Sequence, residues 1–164
     1  MVSKADIENT IKELDNLYNS NSTQSLYFSK LALLELCGWI EQSMDSIVVE
    51  CSNLKLSEQT NRKLVEERIV KRTYGFHYED HFRPMLMKLI GLIKLEQIED
   101  NLKATGDLAI LTSQLGSLRQ SRDSAAHTSI SGTTPSFEAP SRIKAYLDKI
   151  FPIMKKVESE LQAI

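Results

Sequence analysis

Apolar residues recur at helical spacing along nearly the whole chain. Ile7, Ile11, Leu14 and Tyr18 share one face of a first helix. Asn19 to Ser22 is a turn-rich break with several residues able to cap a second helix. Leu26, Leu33, Cys37, Ile40, Met44, Ile47 and Cys51 then fall within about 40° of one line at about 100° per residue. Leu31, Leu34, Leu36 and Trp39 widen that stripe, so this second helix is expected at the centre of the fold. Ser57 is placed to cap a third helix reaching about Arg72. Residues 73–83 read as irregular. Pro84 suits the first turn of a fourth helix, where a missing N–H costs nothing. That helix carries Leu86, Leu89, Ile90 and Ile93 and fades near Thr105 and Gly106. Asp107 can cap a fifth helix with Leu108, Leu111, Leu115 and Leu118 inward. Residues 128–139 are rich in Ser, Thr, Gly and Pro and read as a loop. Ile143, Leu147, Ile150, Met154, Val157 and Leu161 line a last helix, with Pro152 opposite them and a bend expected there. No segment alternates convincingly with a period of two. The expectation is an all-α, up-and-down bundle of five or six helices, a single domain over residues 1–164.

A chain of 164 residues can bury a sizeable core without disulfides or metals. Its net charge of -2 excludes a general polycation, so any nucleic acid must be held by a local patch. One candidate patch is the run Arg62, Lys63, Arg68, Lys71 and Arg72, set against Glu66 and Glu67. It reads as a solvated helix face or as a surface that tracks RNA phosphates. Tyr74, Phe76 and Tyr78 come next in the chain; they can stack bases or pack the loop down. Cys37 and Cys51 lie on one helix about 21 Å apart, too far to pair, and suit a reducing cytoplasm. No apolar run is long enough for a membrane span. His77 and His81 are four apart, a conceivable metal pair with Glu79 and Asp80, but Pro84 places the helix start after them, so they read as exposed loop residues. No Gly-rich phosphate loop, zinc-ligand spacing or nucleophile elbow occurs, so neither cofactor nor metal is expected.

The fifth helix breaks the pattern. With Leu108 at zero, Leu111 lies near about 300°, Leu115 near about 340°, and Arg122 between them near about 320°. A guanidinium on a core stripe costs several kcal/mol unless partnered. Arg122 therefore pairs with an acid or marks where the stripe leaves the core and enters a cleft. Five residues on is His127, preceded by Ala125 and Ala126. Arginine grips phosphate with a planar fork, and histidine moves protons near neutral pH. Together they are the groups that RNA cleavage by the neighbouring 2′-hydroxyl requires. On an ideal helix the two diverge by about 140°. Convergence needs the helix to end or distort after Arg122, or a second protomer to complete the site.

Arg122-Asp123-Ser124-Ala125-Ala126-His127 resembles the signature of HEPN domains: an arginine, a polar residue, a short spacer and a histidine often preceded by alanine. The layout is similar too, with the motif late in a small helical bundle and one further helix after it. The resemblance implies a homodimer with two motif copies lining one cleft. It also implies a metal-independent endoribonuclease, of the kind found in toxin–antitoxin pairs or antiviral defence. By position, Arg122 would contact the scissile phosphate, His127 would be the acid/base or phosphate-binding group, and Asp123 would orient them. Arg119, Arg62, Lys63, Lys71 and Arg72 are the expected RNA contacts. The family also contains catalytically silent modules that bind a partner protein or nucleotide, and a cognate antitoxin is a further implied partner. Two positions depart from the pattern: Asp123 stands where active members most typically have Asn, and Thr128 stands where a small or apolar residue is common.

Overall fold

The structure, a computed structural model, describes residues 1–127 and 136–164, and of His127 the backbone alone. Six α-helices account for most of the described residues: α1 (Ala5–Ser20), α2 (Ser25–Lys55), α3 (Gln59–Leu64), α4 (Arg83–Ala104), α5 (Asp107–His127) and α6 (Pro140–Ala163). The bundle is all-α, and no strand occurs among the described residues. No helix among them is long and apolar enough to cross a membrane.

The apolar girth of α2 has the consequence its sequence implies. Leu33, Leu36, Cys37, Ile40, Met44, Ile47 and Val48 are all buried, and α2 packs against each of the other five helices. Cys37 and Cys51 are buried free thiols. Ile7, Ile11 and Leu14 of α1 and the Ile143-to-Leu161 stripe of α6 close on it. α6 runs through Pro152, which stays on the outer face. A buried carboxylate ties the N-terminus down: Glu158 Oε1 accepts the Val2 N–H at 2.9 Å, and Lys155 pairs with its other oxygen. Burial pushes the Glu158 carboxyl up, but Lys155 and the Val2 N–H outweigh it and leave the group below its ordinary range.

Two departures from the sequence expectation shape the molecule. Ser57 does not cap α3; Arg62 instead reaches back and donates to the Leu56 carbonyl at 2.7 Å, at the end of α2. The segment after α3 is a wide turn, Val65–Ile69, tightening to a 3₁₀ turn, Val70–Arg72. The second departure is in α4. Its helix is interrupted at Gly91 (φ 76°, ψ 161°), a backbone region closed to residues with a Cβ. Met85 and Leu86 are buried before the break, and Leu95, Ile98 and Leu102 after it. On an unbroken helix Leu95 would sit about 180° from Leu86. The interruption lets both face the core, and it turns Ile93, expected inside, out to 77% exposure.

The irregular stretch before α4 is also more ordered than expected. Tyr78–Phe82 forms one wide helical turn running directly into α4. Tyr78 and Phe82 are buried, and the buried Glu99 holds the turn. Glu99 Oε1 accepts from the Tyr78 hydroxyl at 3.0 Å and from Arg83 Nε at 2.6 Å. This anchor fixes the segment that faces the C-terminal half of α5.

Candidate functional site

The leucine stripe of α5 leaves the core at Arg122, the second of the two outcomes its phase allowed. Leu111, Leu115 and Leu118 are buried, whereas the Arg122 side chain is 48% exposed. Arg122 opens onto a groove of about 430 Å³ between α5, α2 and the segment around Tyr78–Phe82. One wall carries Arg119, Arg122 and Asp123. The facing wall carries Tyr74, Gly75, Phe76, His77 and His81, and Glu41 of α2 forms the end.

Each guanidinium already has a carboxylate. Arg122 Nη1 donates to Oδ1 of adjacent Asp123 at 3.2 Å, and Arg119 Nη1 donates to Asp80 Oδ2 at 2.9 Å. Both pairs are about half exposed, and solvent screens such pairs strongly, so an incoming anion displaces them at little cost. The Arg119 hydrogen bond holds the Asp80 carboxyl below its ordinary range, with His77 adding to the effect. With Glu41 counted, the groove has one more carboxylate than guanidinium. Recognition of an anion here rests on directed donors rather than on net field.

The two histidines are part of this site, not exposed loop residues. The His77 backbone N–H donates to His81 Nδ1 at 3.1 Å. Nδ1 is therefore the acceptor of the ring, and the proton of neutral His81 sits on Nε2. That Nε2 makes no hydrogen bond to any described residue. The ring lies against Gly75, where a Cβ would stand 2.9 Å from His81 Cε1. Gly75, at φ 116°, also donates its N–H to Glu41 Oε1 at 2.7 Å, which ties the loop to α2. His77 Nδ1 lies 3.1 Å from Asp80 Oδ2 without hydrogen-bond alignment. The aromatic triplet divides: Phe76 and Tyr78 are buried, whereas Tyr74 is 79% exposed on the groove.

Beneath the groove lies Cys37. Burial pushes its thiol up to about 12, against the opposing pull of Arg122 and with Asp123 and Glu41 reinforcing it. It is no nucleophile at neutral pH. No group of three or more His, Cys, Asp or Glu among the described residues could hold a metal ion.

The expected site residues separate. Arg119, Arg122 and Asp123 come together in the groove. The side chain of His127 lies outside the described residues, as does Thr128. The backbone of α5 stays helical through His127, which keeps the two positions about 140° apart; the helix does not end or distort after Arg122. The other basic residues are not part of the groove lining. Arg62 is engaged with the end of α2, Lys63 pairs with Glu67 at 3.8 Å, Lys71 pairs with Glu66 at 3.1 Å, and Arg72 is exposed. Sequence reasoning misses His77, His81, Gly75 and Glu41 as members of the groove. The available signal is the His-x₃-His spacing next to a glycine; taken only as a metal pair, that spacing does not reveal the groove.

Comparison with protein-family models, with curated proteins and with solved structures gives no match.

Proposed function

We propose that this chain is a metal-independent endoribonuclease of the HEPN type, acting through Arg122 and His127. The observation that carries the reading is the placement of Arg122: an arginine in phase with a buried leucine stripe, yet opening onto a solvent-filled groove instead of an internal ion pair. Arg122 would bind the scissile phosphate and stabilise the charge that builds on its oxygens. His127 would take the 2′-hydroxyl proton or return one to the leaving 5′-oxygen. Because α5 is unbroken to His127, the two backbone positions of one chain lie about 140° apart around its axis. The proposal therefore includes a homodimer in which the second protomer completes the cleft. A cytoplasmic toxin or antiviral effector, restrained by a cognate partner protein, is the biological setting the motif resemblance implies.

Incubation with RNA in EDTA tests this. Wild type is expected to cleave RNA to 2′,3′-cyclic phosphate ends and leave DNA intact, since DNA lacks the attacking hydroxyl. Arg122→Ala and His127→Ala are each expected to lower the rate by about a hundredfold or more. Equal cleavage by all three proteins would reject the site.

One observation favours a second reading. Asp123 supplies a carboxylate to Arg122 where a phosphate would otherwise bind. A catalytically silent module of the same kind, binding a partner protein or a nucleotide, would keep the groove and show no turnover. Asp123→Asn separates the two: it is expected to raise activity in a nuclease and to leave a silent module inactive.

A further inference from the structure

The groove holds more than the Arg-to-His motif supplies. Tyr74 presents an exposed ring on its lining. His81 presents a ring whose position and tautomer are both fixed, the first by packing on Gly75 and the second by the His77 N–H. A neutral imidazole with Nδ1 engaged as acceptor offers one directed donor, Nε2–H. Arg119 and Arg122 add two guanidiniums that, among the described residues, are held by exposed, exchangeable pairs. An aromatic face beside three phosphate donors that line the same groove matches the chemistry of a nucleotide. The free volume of about 430 Å³ falls in the size range of small-ligand sites.

We propose that this groove is a subsite for one unpaired nucleotide of single-stranded RNA, with its base stacked on Tyr74 and its phosphate held by Arg119, Arg122 and the Nε2–H of His81. Stacking on an aromatic ring requires a base that is free of its neighbours, so the subsite selects single strands over duplex. Gly75 is required because any Cβ there displaces the His81 ring. His81 is a positioning and binding residue here; it carries no proton to or from the reacting atoms. The inference rests on the RNA-directed function proposed for Arg122 and deepens it by naming the strand type.

The test is fluorescence anisotropy with a short 2′-O-methyl oligoribonucleotide, which cannot be cleaved because its 2′-oxygen is blocked, as a single strand and as a duplex. Wild type is expected to prefer the single strand. Tyr74→Ala is expected to weaken single-strand binding by about 5- to 150-fold, the range for loss of one stacked base, and Tyr74→Trp to restore it. His81→Ala is expected to weaken binding about tenfold or more. His81→Gln, whose amide N–H replaces Nε2–H, is expected to retain most of the affinity; an acid/base role would instead leave His81→Gln as defective in turnover as His81→Ala. The exposure of Tyr74 makes unfolding by its replacement unexpected, and circular dichroism checks this. Wild-type affinity in both alanine variants, equal binding of duplex and single strand, or no binding by wild type overturns the proposal. Cleavage of ordinary RNA that ignores Tyr74 and His81 would remove the subsite and leave the nuclease reading standing. Tyr74-dependent binding without wild-type cleavage would remove the nuclease reading and leave the subsite.

Discussion

Asp45 lies on α2 one turn after Glu41, and burial, aided by the Glu41 charge, pushes its carboxyl up to about 6. The ordinary value for an unfolded carboxylate of this type is near 3.8. Between these values the folded chain holds the proton more tightly than the unfolded chain does. Stability therefore falls as pH rises through this window and stays lowered above it. Asp45→Asn removes the penalty. It is expected to stabilise the fold at pH 7.5 by about 1–2 kcal/mol, a figure reduced for partial solvent access. Below about pH 3, where Asp45 is protonated in the folded and the unfolded chain alike, it is expected to have little effect. Urea denaturation at the two pH values measures the difference; equal gains at both would mean that Asp45 acts through packing, not charge. At this same scale Arg122 is legible in the sequence, because a guanidinium in phase with a leucine stripe is visible from periodicity alone. His81 is not legible, because its tautomer is set by a backbone N–H and its ring position by a glycine in the loop before it.

The elements follow periodicity closely where the apolar stripe is continuous. The limits of α5 match the reading from Asp107, though the Asp107 carboxylate accepts from the Thr105 hydroxyl and pairs with Lys156 instead of capping the helix. α4 diverges because periodicity assumes a constant phase, and Gly91 resets it. Gly91→Ala is expected to lower stability by about 1–3 kcal/mol, since φ 76° with ψ 161° strains any residue bearing a Cβ. Beyond the local backbone, no described residue stands within 4 Å of the added methyl, so the loss is conformational and not a clash with a packing neighbour. A thermal or urea melt reads it; an unchanged midpoint would show that α4 tolerates a continuous helix. The turn Tyr78–Phe82 escapes the sequence pattern for a related reason. Pro84 lacks one N–H and crowds the carbonyl four residues back, a constraint that by itself signals a helix start. A wider turn accommodates the ring and continues into α4.

Across the whole molecule, the groove depends on a contact between distant parts of the chain. Glu99, buried on α4, grips Tyr78 and Arg83 and so holds the His77–His81 wall against α5. Glu99→Ala leaves the Tyr78 hydroxyl without its acceptor and Arg83 without its main partner. A fully buried pair broken in this way costs about 3–5 kcal/mol. Arg83 retains solvent contact and a weaker neighbour in Glu79 at 3.8 Å, so about 2–4 kcal/mol is expected. Glu99→Gln, which still accepts from Tyr78, is expected to lose less. Urea midpoints of the two variants check the order; equal losses would mean that the charge, not the Tyr78 hydrogen bond, does the holding.

The amino-acid pattern alone determined the helical class, the central place of α2, the inward faces of α1, α5 and α6, and the misfit of Arg122 on its leucine stripe. These are properties of residues a few positions apart, and helix geometry converts such spacing directly into direction. Tertiary structure alone decided that Tyr74, His77 and His81 face Arg119 and Arg122, and that Glu41 closes the end of the groove. Those residues are tens of positions apart, and their meeting depends on a glycine break, a wide turn and a buried carboxylate, none of which leaves a periodic trace.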